Sequence, residues 1–284
     1  YGSLSALSTT AAFGDPADAP VAGDGGVGLW FRPSGLFARY DGDSTTGAGD
    51  LRADNYGGAL GFSVTTGDQG VIGIGGGYGR IDAQDRAFPT TISAHTYMVG
   101  LFGRQVYRGF DLAVQGVFGW TNWDTVRNLP LLSRTARASF DSSEFRLTAR
   151  VAYDFTFGDF IATPFGRLDM RRYDFEAFRE QGAGGLGVAV ASRKENVINP
   201  EAGLRIGGDL YGFRPFAEAS YVFQGDVNSD RRVSYLGDPS NSFRLRGVDP
   251  EGYARLGAGI NADFYGANFS LRGSYLTGGG NKAG

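Results

Sequence analysis

From Glu144 to Phe155 the chain alternates with a period of two. Phe145, Leu147, Ala149, Val151, Tyr153 and Phe155 hold one parity, and Glu144, Arg146, Thr148, Arg150 and Asp154 hold the other. Such alternation gives a β-strand one apolar and one polar face. The pattern returns at 253 to 264, where Ala254, Leu256, Ala258, Ile260, Ala262 and Phe264 oppose Arg255, Asn261 and Asp263. At 199 to 209 it sets Pro200, Ala202, Leu204 and Ile206 against Glu201, Arg205 and Asp209. Strands at 213 to 224 and 268 to 276 set Ala217, Ala219, Tyr221, Phe223, Phe269, Leu271 and Tyr275 against Arg214, Glu218 and Arg272. Helical spacing explains none of these segments.

Read this way, the chain predicts eleven strands, near 28 to 40, 54 to 65, 70 to 81, 94 to 107, 110 to 122, 143 to 157, 160 to 173, 197 to 209, 213 to 224, 251 to 264 and 268 to 277. Long and short connections alternate between them. The long ones lie around 41 to 53, 82 to 93, 123 to 142, 174 to 196 and 225 to 250; the short ones, such as Arg108 and Gly109 or Gly158 and Asp159, are rich in turn-forming residues. One end of the sheet therefore carries tight turns and the other large loops, the asymmetry of antiparallel up-and-down transmembrane barrels. Aromatics flank the tight turns: Tyr107 and Phe110, Phe157 and Phe160, Tyr211 and Phe213, Phe264 and Tyr265. That placement fits an interfacial girdle.

The polar parity collects Arg32, Arg146, Arg150, Arg167, Arg171, Arg205, Arg214, Arg255 and Arg272, with Asp111, Glu144, Asp154, Asp169, Glu201, Glu218 and Asp263. In a water-filled barrel these sixteen residues would line the pore as a cross-strand paired wall. The alternative is the solvated face of a soluble sandwich or barrel, whose strands alternate in the same way. Against it, no second set of amphipathic elements is present to cover the apolar parity.

Composition narrows the choice. A net charge of -3 gives no global positive field to gather nucleic acid. The 47 glycines follow no three-residue period, which excludes collagen. With no cysteine there is no disulfide framework or thiolate chemistry. No apolar run reaches the roughly 18 residues of a spanning helix, which leaves a barrel as the only way to cross a membrane. No basic-then-apolar leader opens the chain, so it reads as a processed or excised piece.

The segment LWFRPSGLFARYDGD (Leu29 to Asp43), followed by NYGGALGFSVTTGDQGVIGIGGGYGRID (Asn55 to Asp82), resembles the opening three strands of the autotransporter β-domain. TYMVGLFGR, FDLAVQGVFGW, IATPFGRLDMRRYDF, INPEAGLRIGG and FRPFAEASYVF follow in the family's order. The resemblance covers about residues 28 to 280 and rests on collinearity rather than on any one motif. It implies a twelve-stranded barrel in the bacterial outer membrane that helps to deliver an N-terminal passenger to the cell surface in type V secretion. Its partners would be outer-membrane lipid, that passenger and the barrel assembly machinery. Only eleven strands are identifiable, so the expectation is that the last strand is missing and that the first and eleventh strands flank a gap. The alternative function is a plain barrel acting as a pore or as an adhesin through its loops.

Family members place a helix in the pore before the first strand. Ser3 to Phe13 could be its tail, and Asp15 to Gly26, with Pro16, Pro20 and three glycines, reads as an extended linker. The chain thus divides into a linker at 1 to 26 and a barrel at 27 to 284. The run GIGGGYG (Gly73 to Gly79) lacks the GxGxxG spacing of a nucleotide loop. Glycines on the lumen side would instead leave room for a threaded segment. His95 is the only histidine, expected in a loop or at a strand end, so neither a histidine-rich metal site nor a second histidine for catalysis is available. No cofactor, metal or catalytic residue is expected. Some autotransporters cleave their own linker with the help of an Asn, and none occurs in residues 1 to 26.

Overall fold

The computed structural model describes residues 13, 26–40, 51–67, 69–85, 89–225, 231–245, 252–264 and 267–278. Eleven strands form one antiparallel sheet in sequence order: β1 (Val27–Tyr40), β2 (Leu51–Thr66), β3 (Gly70–Asp85), β4 (Thr90–Tyr107), β5 (Phe110–Leu129), β6 (Arg134–Tyr153), β7 (Phe160–Phe175), β8 (Arg193–Gly208), β9 (Phe213–Val222), β10 (Tyr253–Phe264) and β11 (Ala267–Gly278). Past a break at Asp154, Phe155–Phe157 continues β6 along β7. The sheet curls into a half-barrel. Among the described residues β1 pairs with β2 alone and β11 with β10 alone.

The two faces are opposite in chemistry. Phe31, Leu60, Phe62, Ile72, Ile74, Leu101, Leu112, Val114, Phe118, Leu204, Ile206 and Leu271 are exposed, whereas Arg146, Thr148, Arg150, Asp169 and Glu201 are buried. A soluble sandwich would show the reverse. The apolar parity therefore faces outward, and the charged parity lies on the concave side. The tight turn at Arg108 and Gly109 has both φ angles positive, 51° and 85°, as a two-residue hairpin that follows strand twist requires.

The strands run well beyond their expected ends on the loop side. Residues 123 to 142, expected as a long connection, continue β5 and β6 to a single helical turn at Pro130–Leu132. Along β5 the outward side chains are Phe110, Leu112, Val114, Phe118 and Trp120, then Asn122, Asp124, Val126 and Asn128. Inward, Thr121, Trp123 and Thr125 are buried. Strand β6 changes in the same way between Phe145 and Ser143, and β4 between Tyr97 and His95. Tyr78, Tyr97 and Trp120 form an outward aromatic row at this boundary, with neighbouring ring centroids 5.5 and 6.0 Å apart. From Tyr97 to Tyr107, or from Phe110 to Trp120, about ten residues rising ~3.4 Å each and tilted by ~40° span ~25 Å, the height of the apolar band of a membrane barrel.

Beyond that row the wall has an ordinary apolar core on its concave side: Ala53, Ile81, Ala83, Ile92, Ala94, Trp123, Phe140, Tyr173, Phe175 and Val197, with Phe178 packed against it. His95 lies inside β4 just past the boundary, not in a loop, and its Nδ1 lies 2.7 Å from the Tyr78 hydroxyl. The connections around 174 to 196 and 225 to 250 also hold strands. Phe178–Arg179, Val188–Val190, Arg231–Tyr235 and Asp238–Leu245 make a second, four-stranded sheet. Reciprocal backbone bonds between Arg137 and Gln181 join the loop after β7 to β6. Arg127 closes the same loop through a two-pronged ion pair with Glu180 at 2.5 and 3.1 Å.

Candidate functional site

The concave face between the tight turns and the aromatic row has two unlike halves. On β1 to β5 it is built from small and apolar side chains. Phe13, helical in conformation and 2% exposed, sits there with Trp30, Ala59, Val71, Met98, Phe102 and Val117. Its ring meets Trp30 edge-on at 6.1 Å, and Trp30 meets Phe102 in the same way at 5.8 Å. Gly100 makes the space: a Cβ at that position would lie 2.6 Å from the Phe13 ring, and one at Gly77 would lie 3.4 Å from it. The Phe13 carbonyl accepts hydrogen bonds from Arg32 and, at 3.5 Å, from Gln115. The inward glycines serve more than one purpose, because those at 73 and 75 are filled by Phe102 and Trp30 of the wall itself.

On β5 to β11, together with Arg104 near the end of β4, the same face is ionic. Each of four carboxylates lies between two arginines. Asp111 takes Arg104 at 2.8 Å and Arg150 at 3.3 Å. Asp169 takes Arg146 and Arg171, each at 2.5 Å, and the Thr148 hydroxyl at 3.0 Å. Glu201 takes Arg167 at 3.2 Å, Arg255 at 3.5 Å and the Ser220 hydroxyl at 2.6 Å. Glu218 takes Arg205 at 2.9 Å and Arg272 at 2.6 Å. Register sets Arg167 directly opposite Glu201 and Arg205 directly opposite Glu218 in neighbouring strands, while Arg255 and Arg272 reach the same carboxylates across one intervening strand.

Aromatic rings knit the ionic half. The Phe165 ring receives the guanidinium groups of Arg150 at 4.8 Å and Arg167 at 5.6 Å, and covers Gly203. The Phe216 ring receives Arg205 at 4.6 Å and Arg272 at 5.8 Å, and covers Gly259. An arginine pressed between a carboxylate and an aromatic face satisfies both its charge and its flat apolar surface. The arrangement therefore stiffens a wall that has few apolar side chains of its own on this side.

Of the sixteen residues expected on this face, Asp111, Glu144, Arg146, Arg150, Arg167, Asp169, Glu201 and Glu218 are buried, and Arg32, Arg171, Arg205, Arg255 and Arg272 are half-buried. Asp154 and Arg214 are exposed near the tight turns, where Asp154 accepts a 2.6 Å hydrogen bond from Thr163. The side chain of Asp263 lies outside the described residues. Arg104, Phe165 and Phe216 were missed. Arg104 shares the parity of Gly100 and Phe102 and was legible from it; the two phenylalanines carry an apolar side chain on the charged parity, and only register shows their partners.

An apolar band of membrane height outside and buried charge inside define the wall of a transmembrane β-barrel. The sequence matches the Autotransporter beta-domain over residues 29–276, and the chain belongs to that family. It is an outer-membrane translocator domain, and membership implies an N-terminal passenger. Among solved structures, the chain is similar to the translocator domain of the autotransporter NalP from Neisseria meningitidis, with a TM-score of 0.66 and 18% identity over 89% of this chain and 82% of that one. The β domain of the Bordetella autotransporter BrkA gives 0.58 and 18% over 89% and 92%. The transport unit of AIDA-I from Escherichia coli gives 0.59 and 16% over 99% and 93%. At these identities the likeness is one of fold. No curated protein sequence matches the chain.

Proposed function

We propose that this translocator holds the peptide N-terminal to β1 inside its lumen, against the apolar half of the wall, and that Phe13 is the residue by which it is seated. The observation behind this reading is the fit of the Phe13 ring over Gly100, with its carbonyl taken by Arg32 and Gln115. The ionic half, with the pore-lining residues named above, faces it across the lumen. The barrel sits in outer-membrane lipid by its apolar band, is inserted by the barrel assembly machinery, and acts without catalysing a reaction.

Gly100→Val tests the seat from the wall side and Phe13→Ala from the peptide side. Both variants should raise single-channel conductance in a planar bilayer, because each unseats the segment without touching the ionic half. Unchanged conductance in both, from folded heat-modifiable protein, would place the segment outside the pore.

A further inference from the structure

We infer that Arg172, on the outward face of β7, forms a binding site for the phosphate of an anionic lipid in the outer leaflet. The inference rests on the reading of the apolar band as lipid-facing. Across that band the outward side chains of β6, β7 and β8 carry no charge from Tyr153 to Leu147, from Phe160 to Met170 or from Ile206 to Ile198. Arg172 is the next outward residue of β7 beyond Met170, and it is exposed. Register sets it directly opposite Phe145 of β6 on one side and Asn196 of β8 on the other, with Phe145 in turn opposite Phe118. The row of Trp120, Ser143, Asp174 and Lys194 lies one step further toward the loops. Arg172 therefore stands level with the last outward apolar rings, just inside the aromatic boundary.

A guanidinium at that depth calls for an anion. The wall does not supply one, since no hydrogen bond or ion pair joins the Arg172 side chain to a described residue. Asp174, two residues on along the same face, is held by Lys194 at 3.0 Å. Arg80 and Arg52, which also face outward on the loop side, each pair with the carboxylate two residues on, Asp82 at 2.9 Å and Asp54 at 3.2 Å. Arg172 is left facing lipid, and the anions that lipid brings to this level are headgroup phosphates. A long aliphatic stem lets an arginine reach from the apolar edge to the headgroups, and its planar fork meets two phosphate oxygens at once. A phosphate with no cationic group of its own gains most from the pairing, which points to an acidic lipid. The long loops of such barrels lie outside the cell, so the leaflet is the outer one.

The test is electron spin resonance of trace spin-labelled lipids in phosphatidylcholine vesicles that hold the reconstituted chain. Lipid in contact with the wall gives a motionally restricted signal. Spin-labelled phosphatidic acid should associate with the wild-type wall several-fold more strongly than spin-labelled phosphatidylcholine. Arg172→Gln should bring the two labels together, Arg172→Lys should keep part of the preference, and Arg80→Gln, at an arginine with its own carboxylate, should leave it unchanged. No preference in the wild type, or a preference that Arg172→Gln leaves intact, overturns the site, while restricted phosphatidylcholine still upholds the lipid-facing band. Folded chain that restricts neither label overturns both. A chemical cross-link between copies that forms in phosphatidylcholine and is lost in Arg172→Gln would assign the arginine to a carboxylate of a second copy, which also overturns the site.

Discussion

Trp123 and Phe140 stack with their ring planes 7° from parallel and centroids 6.0 Å apart, facing inward from a stretch of wall that has already left the membrane. Phe178 stacks on the other side of Phe140 at 4.4 Å, and Trp123 Nε1 donates to the Ser142 hydroxyl at 2.8 Å. The loop-side end of the barrel is therefore a folded aqueous structure with its own core.

That core makes a prediction about stability. Trp123→Ala should destabilise the loop-side end by about 3 to 5 kcal/mol, the usual cost of emptying a large buried aromatic site. Were 123 to 142 a solvated loop, the same change would fall within about 0.5 kcal/mol. Hydrogen exchange of the β5 and β6 amides beyond Trp120 distinguishes the outcomes, since the lipid-embedded part should keep its protection.

Much of this architecture was legible from the sequence, and the exception has a physical cause. The eleven strands and the tight turns follow from a period of two, which depends only on neighbours in the chain. Residues 123 to 142 were not recognisable as strand because the solvent changes part-way along. Up to Trp120 the apolar side chains must be even-numbered to meet lipid; from Trp123 they must be odd-numbered to meet the core. A single strand thus reads as two patterns out of phase, and the join reads as a loop. The carboxylates with two arginines were hidden for another reason, because Arg255 and Arg272 lie two strands away from Glu201 and Glu218 and reach them across the strand between.

Removing a carboxylate from the ionic half should cost far more than removing one of its arginines. Glu218→Gln leaves Arg205 and Arg272 facing each other without their shared counter-charge, and breaking a buried pair in this way costs about 3 to 5 kcal/mol. Arg272→Gln leaves Glu218 paired with Arg205 at 2.9 Å and should cost much less. Urea titration of the barrel refolded in lipid vesicles gives both values, and equal losses would contradict the geometry.

The second, four-stranded sheet has a pH-sensitive carboxyl where the strand Asp238–Leu245 begins. Hydrogen bonds from Asn241 Nδ2 at 2.7 Å and Ser240 Oγ at 2.8 Å hold the Asp238 carboxyl below the usual carboxylate range. A carboxyl whose pKa is lower in the folded state stabilises the fold above its unfolded pKa, and that contribution is lost as pH falls through the folded value. Asn241→Ala should move the midpoint of Asp238, read by carboxyl carbon NMR, back upward. A midpoint that stays in place would show that the bond is not formed in solution.

Two exposed leucines separate the lipid-facing wall from the part in water. Leu101 is 61% exposed on the outward face of β4, near the middle of the band between Tyr97 and Tyr107, and Leu131 is 100% exposed at the helical turn that ends the β5 and β6 extension. Accessibility alone would make Leu131 the safer and Leu101 a nearly safe site for a charge. The surrounding solvent changes that order of magnitude. Leu101→Arg puts a guanidinium near the bilayer midplane and should destabilise the inserted barrel by about 2 to 4 kcal/mol, whereas Leu131→Arg puts one in water, where the cost is about 0. Parallel titrations in lipid vesicles should show the gap. Repeating them in detergent micelles, which deform around a charge more readily than a bilayer, should narrow the loss at Leu101 and leave Leu131 unchanged. Similar losses at both sites in vesicles would mean that the band between the aromatic rows does not meet lipid.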